Sequence, residues 1–198
     1  MKTAAVFFAD GFEDIEALSP VDYLRRAGVE VITVGVKGMP FNDTMIVTSS
    51  HNVPMIMDMS LDTYMKKFGA SIPDCVVCPG GGKGAINLSK CPALLEHLEK
   101  AWDAGRLVAA ICAAPALVLT SAGIEKDKVI TSYPGEEFEN MLEEANYTDE
   151  LVVVNGNLIT SRGPATALLF AYKILDVLGI NSDALKDGML WNLVENEN

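Results

Sequence analysis

The sequence predicts an α/β protein whose mostly parallel sheet is covered by helices on both faces. Short apolar runs alternate with amphipathic stretches along the 198 residues. Several of these runs are apolar throughout, as expected of strands that are buried on both faces. With 49% hydrophobic and only 21% charged residues, the chain can bury a substantial core. No Pro/Gly/Ser-rich linker or internal repeat divides the chain, so we expect one domain over residues 1–198, with a polar tail at Glu195–Asn198.

Local patterns predict the individual elements. The run Ala4–Ala9 has the composition of a buried strand, and every third residue from Ile15 to Leu24 is apolar, which predicts a helix over Asp14–Arg26. The same reasoning predicts strands at Val29–Gly35, Met45–Thr48, Val53–Met57, Asp74–Cys78, Leu107–Ile111, Val129–Thr131, Leu151–Val154 and Leu158–Ser161. It predicts further helices at Cys91–Ala104, Ala113–Ala122 and Pro164–Leu178, whereas residues 36–60 look otherwise irregular.

Charge and cysteine content exclude several classes of protein. The chain has 15 Lys and Arg and 27 Asp and Glu, which gives a formal net charge of -12. This charge argues against nucleic-acid and anionic-membrane partners. Four cysteines are too few for a disulfide scaffold, and two histidines leave few ways to build a metal site. The longest strongly apolar run, Leu107–Leu119, is too short to span a bilayer. We therefore expect a cytoplasmic protein with reduced thiols.

Four predicted strand ends carry residues that are candidates for catalysis or ligand binding. In a parallel α/β sheet the binding site lies at the carboxyl ends of the strands, near the point where the strand order reverses. This rule directs attention to the segments Ala9–Gly11, Pro79–Gly82, Ile111–Ala113 and Ser161–Pro164.

Cys112 is the strongest candidate for a catalytic residue. It lies at the junction of the strand Leu107–Ile111 and the following helix, where small residues surround it and Pro115 suits a first helical turn. Such a tight turn resembles a nucleophile elbow, in which the helix N-terminus lowers the pKa of the thiol. The N–H of Ala113 would then point toward an oxyanion. A plain buried cysteine in an alanine-rich core is the alternative, and the strand-end position favours the nucleophile.

The glycine cluster Pro79–Gly84 is the second candidate feature. It lacks the residues that a phosphate-binding P-loop requires, and it matches the dinucleotide-binding fingerprint only loosely. We expect the N–H of Gly81 to act as a second oxyanion donor, with a simple tight turn as the alternative.

Glu16 follows the first strand within an acidic segment. Glu13 and Asp14 are ordinary complements of a helix dipole, but Pro20 cannot donate to the Glu16 carbonyl, so this turn is locally irregular. A carboxylate beside a thiolate is unfavourable. We therefore expect Glu16 to hold its proton, with a raised pKa, and to shuttle protons for Cys112.

The remaining cysteines and histidines carry weaker signals. Cys75 and Cys78 are three apart on a strand and point to opposite faces, so we expect neither a zinc site nor a dithiol. Cys91 begins a helix, and its thiol is a candidate for an exposed, oxidisable group. His97 is expected to be solvated or partly buried on an amphipathic helix, and His51 has no evident partner.

Taken together, these motifs resemble those of the DJ-one/ThiJ/PfpI superfamily, in the branch of the parkinsonism-associated protein and its bacterial ThiJ-like relatives. The resemblance covers almost the whole chain. It rests on Ala9–Glu16, Pro20–Asp22, Leu24–Gly28, Pro79–Gly81, Gly84–Ala85, Asn87–Leu88, Ala109–Pro115 and Thr160–Pro164.

The resemblance implies a flavodoxin-like three-layer α/β/α sandwich, similar to class I glutamine amidotransferases, and a homodimer. It implies Cys112 as the reactive thiol, Glu16 as a protonated partner, and Gly81 and Ala113 as backbone donors. We further expect the substrate to be bound by Tyr133, Glu13, Gly80, Arg26 and Pro164, some of which the resemblance places near the dimer interface.

Two positions depart from the family pattern. The peptidase branch has His directly after the cysteine, where this chain has Ala113, so a cysteine peptidase is only a weak alternative. Tyr133 stands where the resembled branch usually has His. Because Tyr is a poor base near neutral pH, proton transfer would fall more heavily on Glu16.

The resemblance implies a cofactor-independent glyoxalase III or protein deglycase that acts on 2-oxoaldehydes such as methylglyoxal, with a role in oxidative and carbonyl stress. We expect no metal and no organic cofactor. A redox sensor or chaperone that uses oxidation of Cys112 to the sulfinate is the alternative. A role in thiazole (thiamine) biosynthesis is weaker, since no phosphate-binding signature supports it.

Overall fold

A seven-stranded sheet forms the centre of the computed structural model, which describes residues 1–195. The end of the expected polar tail, Asn196–Asn198, lies outside the described residues. The strands are β1 (Thr3–Ala9), β2 (Glu30–Lys37), β3 (Met39–Phe41), β4 (Thr44–Thr48), β5 (Pro54–Ile56), β6 (Met59–Ser60), β7 (Cys75–Cys78), β8 (Leu107–Ile111), β9 (Val129–Ile130), β10 (Asn146–Tyr147), β11 (Val152–Asn155) and β12 (Leu158–Ser161). The helices are α1 (Asp14–Arg26), α2 (Leu61–Phe68), α3 (Gly82–Ser89), α4 (Pro92–Asp103), α5 (Glu136–Met141), α6 (Ala167–Val177), α7 (Asp183–Gly188) and α8 (Trp191–Glu195).

The strand order of the central sheet is β11-β12-β8-β7-β1-β2-β6. Neighbouring strands pair in parallel except β11, which pairs antiparallel with β12. The connection from β1 leads to β2 on one side, while the connection from β7 leads to β8 on the other. Right-handed crossovers in opposite directions place helices on both faces and open a crevice between β1 and β7. The predicted α/β class with a mostly parallel sheet is confirmed.

Large aromatic side chains join the helices to both faces of the sheet. On one face, Tyr23 of α1 and Tyr172 of α6 pack edge to face with ring centroids 4.9 Å apart. On the other, Phe7 of β1 packs against Tyr64 of α2 and His97 of α4. Strands β1, β7 and β8 are buried almost throughout, as their uninterrupted apolar sequences predict.

The structure contains elements that the sequence patterns did not predict. Residues 36–60 are more ordered than expected, because β3, β4 and β5 form a small antiparallel sheet. Helix α2 begins at a capping signal, since the Ser60 hydroxyl accepts a hydrogen bond from the Thr63 N–H. The expected helix at Pro164–Leu178 is divided into a 3₁₀ turn, Pro164–Thr166, and α6. The other unpredicted elements are β6, β10, α3, α5, α7 and α8.

Backbone-to-backbone packing holds the loops after β1 and β7 together. The Gly84 N–H donates to the Gly11 carbonyl over 3.1 Å, and the Glu13 N–H donates to the Gly80 carbonyl over 3.1 Å. A Cβ atom at Gly84 would lie 2.8 Å from the Phe12 backbone. The two loops therefore approach each other through a position that only glycine leaves open. Within residues 1–195, no helix has both the length and the apolar character needed to cross a membrane.

We predict that Gly84→Ala lowers the free energy of unfolding by about 1–3 kcal/mol, because the added methyl group must displace the Phe12 backbone. Gly82→Ala is the matched control: a Cβ there meets nothing within 4 Å, so its stability should stay equal or rise slightly. Urea unfolding of both variants measures the difference. Equal stability of the two variants would show that the loops do not depend on this close approach.

Candidate active site

Cys112 lies in a strained turn between β8 and a π-helical segment, Pro115–Leu119. Its φ angle is 64°, in the left-handed region that non-glycine residues rarely adopt. Its N–H donates to the Ser161 carbonyl over 2.9 Å. Its carbonyl accepts from the Tyr133 N–H and the Ser132 hydroxyl, each over 2.8 Å. Neighbouring elements therefore fix the strained backbone and present the thiol at the carboxyl end of the sheet.

Glu16 lies in the first turn of α1 and is completely buried. The Glu13 carboxylate caps this helix by accepting a hydrogen bond from the Glu16 N–H over 2.8 Å. Pro20 lies within the same helix and supplies no N–H to the Glu16 carbonyl. The first turn is thus held by a side-chain cap, and it directs the Glu16 carboxyl inward.

Gly80 brings the carboxyl and the thiol together. A Cβ atom at this position would overlap both the Cys112 Cβ and Glu16 Oε2. The two side chains therefore occupy the space that a larger residue would fill. Neither carboxyl oxygen of Glu16 forms a hydrogen bond of standard geometry with the described residues, so its environment is set by the nearby thiol and backbone.

Burial, together with the negative charge of Glu13, raises the pKa of Glu16 to about 8. Interactions with the Cys112 thiol and the Gly80 N–H oppose this shift but do not outweigh burial. At neutral pH the carboxyl is therefore mostly protonated.

The pKa of the Cys112 thiol is also raised, to about 12, first by burial and then by the charge of an ionised Glu16. The N–H groups of Gly81 and Ala113 lower it, because they stabilise a thiolate. The sequence predicts that the helix N-terminus lowers the pKa of Cys112. This prediction is wrong when Glu16 is ionised, because the pKa of Cys112 is then raised. The charge of Glu16 no longer raises the pKa of Cys112 when Glu16 holds the proton. The protonation of each group therefore depends on that of the other, and the two titrate as a unit. In the singly ionised pair, a proton transfer from sulfur to carboxylate produces the thiolate.

A pocket of about 370 Å³ opens above the thiol. Its residues come from the loops and helices that follow β1, β4, β7, β8, β9 and β12. They are Glu13, Glu16, Ser50, Gly81, Gly82, Cys112, Ala113, Tyr133, Glu137, Phe138 and Pro164. The structure thus brings together most of the site residues that the sequence suggests.

Arg26 is not among the residues that line the pocket. It lies in the last turn of α1 and forms an exposed ion pair with Asp22 over 2.9 Å. Four residues that line the pocket, Ser50, Gly82, Glu137 and Phe138, are missing from the sequence-based set of site residues. Phe138 packs against Tyr133 with ring centroids 6.1 Å apart, a contact that local periodicity does not reveal because α5 is short.

The two histidines differ from their sequence-based descriptions. His97 is 2% exposed and hydrogen-bonds to the Tyr64 hydroxyl over 3.2 Å, so it is part of the core. His51 has a partner, since its Nδ1 lies 2.6 Å from the Asp14 carboxylate, and this contact raises the pKa of His51. Glu13, Asp14 and His51 lie close enough to share an ion, but their helix cap and ion pair account for this cluster without one.

The site defines a class of protein: a parallel α/β protein with a cysteine at a strand-to-helix elbow and a buried carboxyl beside it. The chain matches the DJ-1/PfpI family over residues 2–177, and it belongs to that family.

Three related proteins illustrate the similarity. The Parkinson disease protein 7 homolog of Danio rerio is 38% identical over 178 residues, covering 89% of both chains. The glutathione-independent glyoxalase DJR-1.2 of Caenorhabditis elegans is 34% identical over 168 residues, covering 84% of this chain and 82% of its own length. The crystal structure of Drosophila melanogaster DJ-1beta has a TM-score of 0.84 at 36% identity, covering 96% of this chain and 97% of its own. These relatives place both the sequence and the fold within the family.

We predict that Glu16→Gln becomes more stable relative to the wild type as the pH rises from 4.5 toward 8. The unfolded chain releases the Glu16 proton near pH 4.5, whereas the folded wild type retains it up to about pH 8. Folding of the wild type is therefore penalised increasingly over this window, by at most about 4 kcal/mol at pH 8. Urea unfolding of both proteins at pH 5 and pH 8 measures the difference.

Glu139→Gln, on the exposed α5, controls for the loss of one negative charge and should show no comparable pH-dependent gain. A Glu16→Gln variant whose stability relative to the wild type is the same at both pH values would contradict the raised pKa.

Proposed function

We propose that this protein is a cysteine-dependent, glutathione-independent glyoxalase that converts small 2-oxoaldehydes such as methylglyoxal to 2-hydroxy acids. The observation that carries the proposal is the juxtaposition of the Glu16 carboxyl and the Cys112 thiol around Gly80, at the base of an open pocket. The Caenorhabditis elegans relative is named a glutathione-independent glyoxalase, which supports the same reaction class. Protein deglycase activity would use the same groups.

The first step is addition of the Cys112 sulfur to the aldehyde carbon. Glu16 as a carboxylate takes the thiol proton, the S–C bond forms, and the carbonyl π electrons move to oxygen. The N–H groups of Gly81 and Ala113 already stabilise negative charge on the sulfur, and they are positioned to stabilise the neighbouring oxyanion. Protonation of that oxygen gives a neutral hemithioacetal.

Glu16 then moves a proton between the two carbons of the substrate. As a carboxylate it removes the hydrogen from the former aldehyde carbon, giving an enediol, and as an acid it returns a proton to the adjacent carbon. The first carbon is oxidised to the thioester level while the second is reduced to an alcohol, so no external oxidant or reductant is required. A pKa near 8 suits both roles near neutral pH.

Water completes the reaction by attacking the thioester. The C–S bond breaks, the hydroxy acid leaves, and the thiol recovers its proton. The net reaction is methylglyoxal plus water to lactate. Because every proton transfer is assigned to Glu16, the scheme needs no imidazole, and Tyr133 serves as a pocket wall and hydrogen-bond donor.

A second candidate function is redox sensing through Cys112. Its thiol lines an open pocket, whereas Cys75 and Cys78 are completely buried. Donors from Gly81, Ala113 and a protonated Glu16 surround the sulfur, and they suit the acceptor oxygens of a sulfinate. Each of the two oxygens would come from one molecule of peroxide, with release of water.

The proposal also includes a cytoplasmic homodimer. The small β3–β4–β5 sheet exposes the large apolar side chains of Met39, Phe41 and Ile56, and such a surface favours burial against a second copy. The exposed Arg26 is then available to approach the site from the partner subunit, as the family resemblance suggests.

We expect Cys112→Ser to lower kcat/KM for lactate formation from methylglyoxal by about a thousand-fold or more, since the nucleophile is lost. Glu16→Gln should lower it by about a hundred-fold or more, because proton transfer is lost while the fold is retained. Cys91→Ser, which changes a thiol outside the pocket, is the matched control and should keep wild-type turnover. Wild-type turnover by Cys112→Ser would disprove the mechanism.

Mild peroxide distinguishes the redox candidate. We expect the wild type and Cys91→Ser to gain two oxygen atoms at the Cys112 peptide, measured by mass spectrometry, and Cys112→Ser to gain none. Selective double oxygenation together with negligible lactate formation would favour sensing over catalysis. Oxidation spread evenly over Cys91 and Cys112 would remove the basis for a sensor.

A further inference from the structure

The mouth of the pocket above Cys112 carries two carboxylates besides the buried Glu16. Glu137 on α5 and Glu13 at the start of α1 both line it. Among the described residues that line the pocket there is no lysine or arginine to offset them. Lys83 lines an adjacent groove, where Asp10 accompanies it.

The negative potential of this mouth reaches the reacting groups. The charge of Glu13 raises the pKa of Glu16 and, outside the pocket, that of His51. Glu137 is exposed and Glu13 is partly buried, whereas Cys112 is buried, so both acidic residues are more accessible to an incoming molecule than Cys112 is. The chain as a whole has a formal net charge of -12, so its net charge has the same sign as these two carboxylates and adds to their repulsion of anions.

The base of the pocket has the opposite polarity. The N–H groups of Gly81 and Ala113 point toward the sulfur and lower its pKa, so they favour a carbonyl oxygen that becomes negative during the reaction. A molecule oriented by both ends would place its carbonyl group at the base and an uncharged or positive group at the mouth.

Several of the other residues that line the pocket are apolar or aromatic. Tyr133 and Phe138 pack edge to face, and Pro164 lines the same pocket. Aromatic faces bind apolar groups and attract cations, but they do not compensate an anion. The volume of about 370 Å³ also leaves room for a substituent larger than a methyl group.

We propose that Glu137 and Glu13 make this pocket a charge filter, which admits uncharged and positively charged carbonyl compounds with apolar or aromatic substituents and excludes anionic ones. The substrate part of this inference rests on the proposed glyoxalase function. The filter itself does not, because it acts on any reagent that approaches Cys112.

Alkylation of Cys112 tests the filter without requiring turnover. Iodoacetamide and iodoacetate are similar in size and differ by one negative charge. Each rate is measured at the Cys112 peptide by mass spectrometry at pH 8 and low ionic strength, and is divided by the rate with 2-mercaptoethanol. We expect the wild type to disfavour iodoacetate by about ten-fold after this correction.

Glu137→Gln should reduce this discrimination by about three-fold, and Glu137→Lys should reduce it further, because the sign of the charge is reversed. Glu136→Gln is the matched control, since Glu136 is the preceding residue on α5, is exposed and does not line the pocket. It changes the net charge equally and should leave the ratio near the wild-type value. Equal corrected rates for the two reagents in the wild type would overturn the proposal, as would equal effects of Glu136→Gln and Glu137→Gln.

Matched substrates test the consequence for catalysis. We expect kcat/KM to be higher for phenylglyoxal than for (4-carboxyphenyl)glyoxal, with the ratio falling in Glu137→Gln. Selective alkylation without turnover of either compound, or of methylglyoxal, would disprove the proposed glyoxalase while leaving the filter intact. Turnover of both phenylglyoxals with equal kcat/KM and charge-independent alkylation would disprove the filter and leave the glyoxalase intact.

Discussion

A completely buried carboxyl next to a thiol is the constraint on which the rest of this site depends. Glu16 and Cys112 cannot both carry a negative charge in so little space without a large free-energy cost. The raised pKa of Glu16 avoids that cost, and the absence of a side chain at Gly80 makes the contact sterically possible. The proposed chemistry therefore follows from one proton that the two groups share.

The topology of the sheet explains why these groups meet. Connections leave β1 and β7 in opposite directions, so the loops after these strands face each other across a crevice. Gly11 and Gly84 let the two loops join through a backbone hydrogen bond. The elbow after β8 then contributes the thiol from the next strand. The site thus depends on contacts between segments about 70 to 100 residues apart in sequence.

Much of this arrangement could be predicted from local sequence. The apolar runs identify β1, β7 and β8, and a cysteine directly after the last of them identifies Cys112. Glu16 could be identified by its position after β1 and by Pro20. The pocket wall could not be predicted in the same way: Glu137 and Phe138 lie on a six-residue helix without a clear apolar period, and only tertiary packing places them beside Cys112. The net pKa shift of the thiol likewise depends on burial, which no motif encodes.

Tyr133 holds the elbow through its main chain, since its N–H donates to the Cys112 carbonyl, while its side chain lines the pocket. Any residue except proline can supply that N–H. The side chain at this position can therefore change over evolutionary time, from imidazole to phenol or to an aliphatic group, without releasing the strained elbow. New substrate preferences can thus be explored at position 133 independently of the reactive centre, which makes this part of the fold readily evolvable.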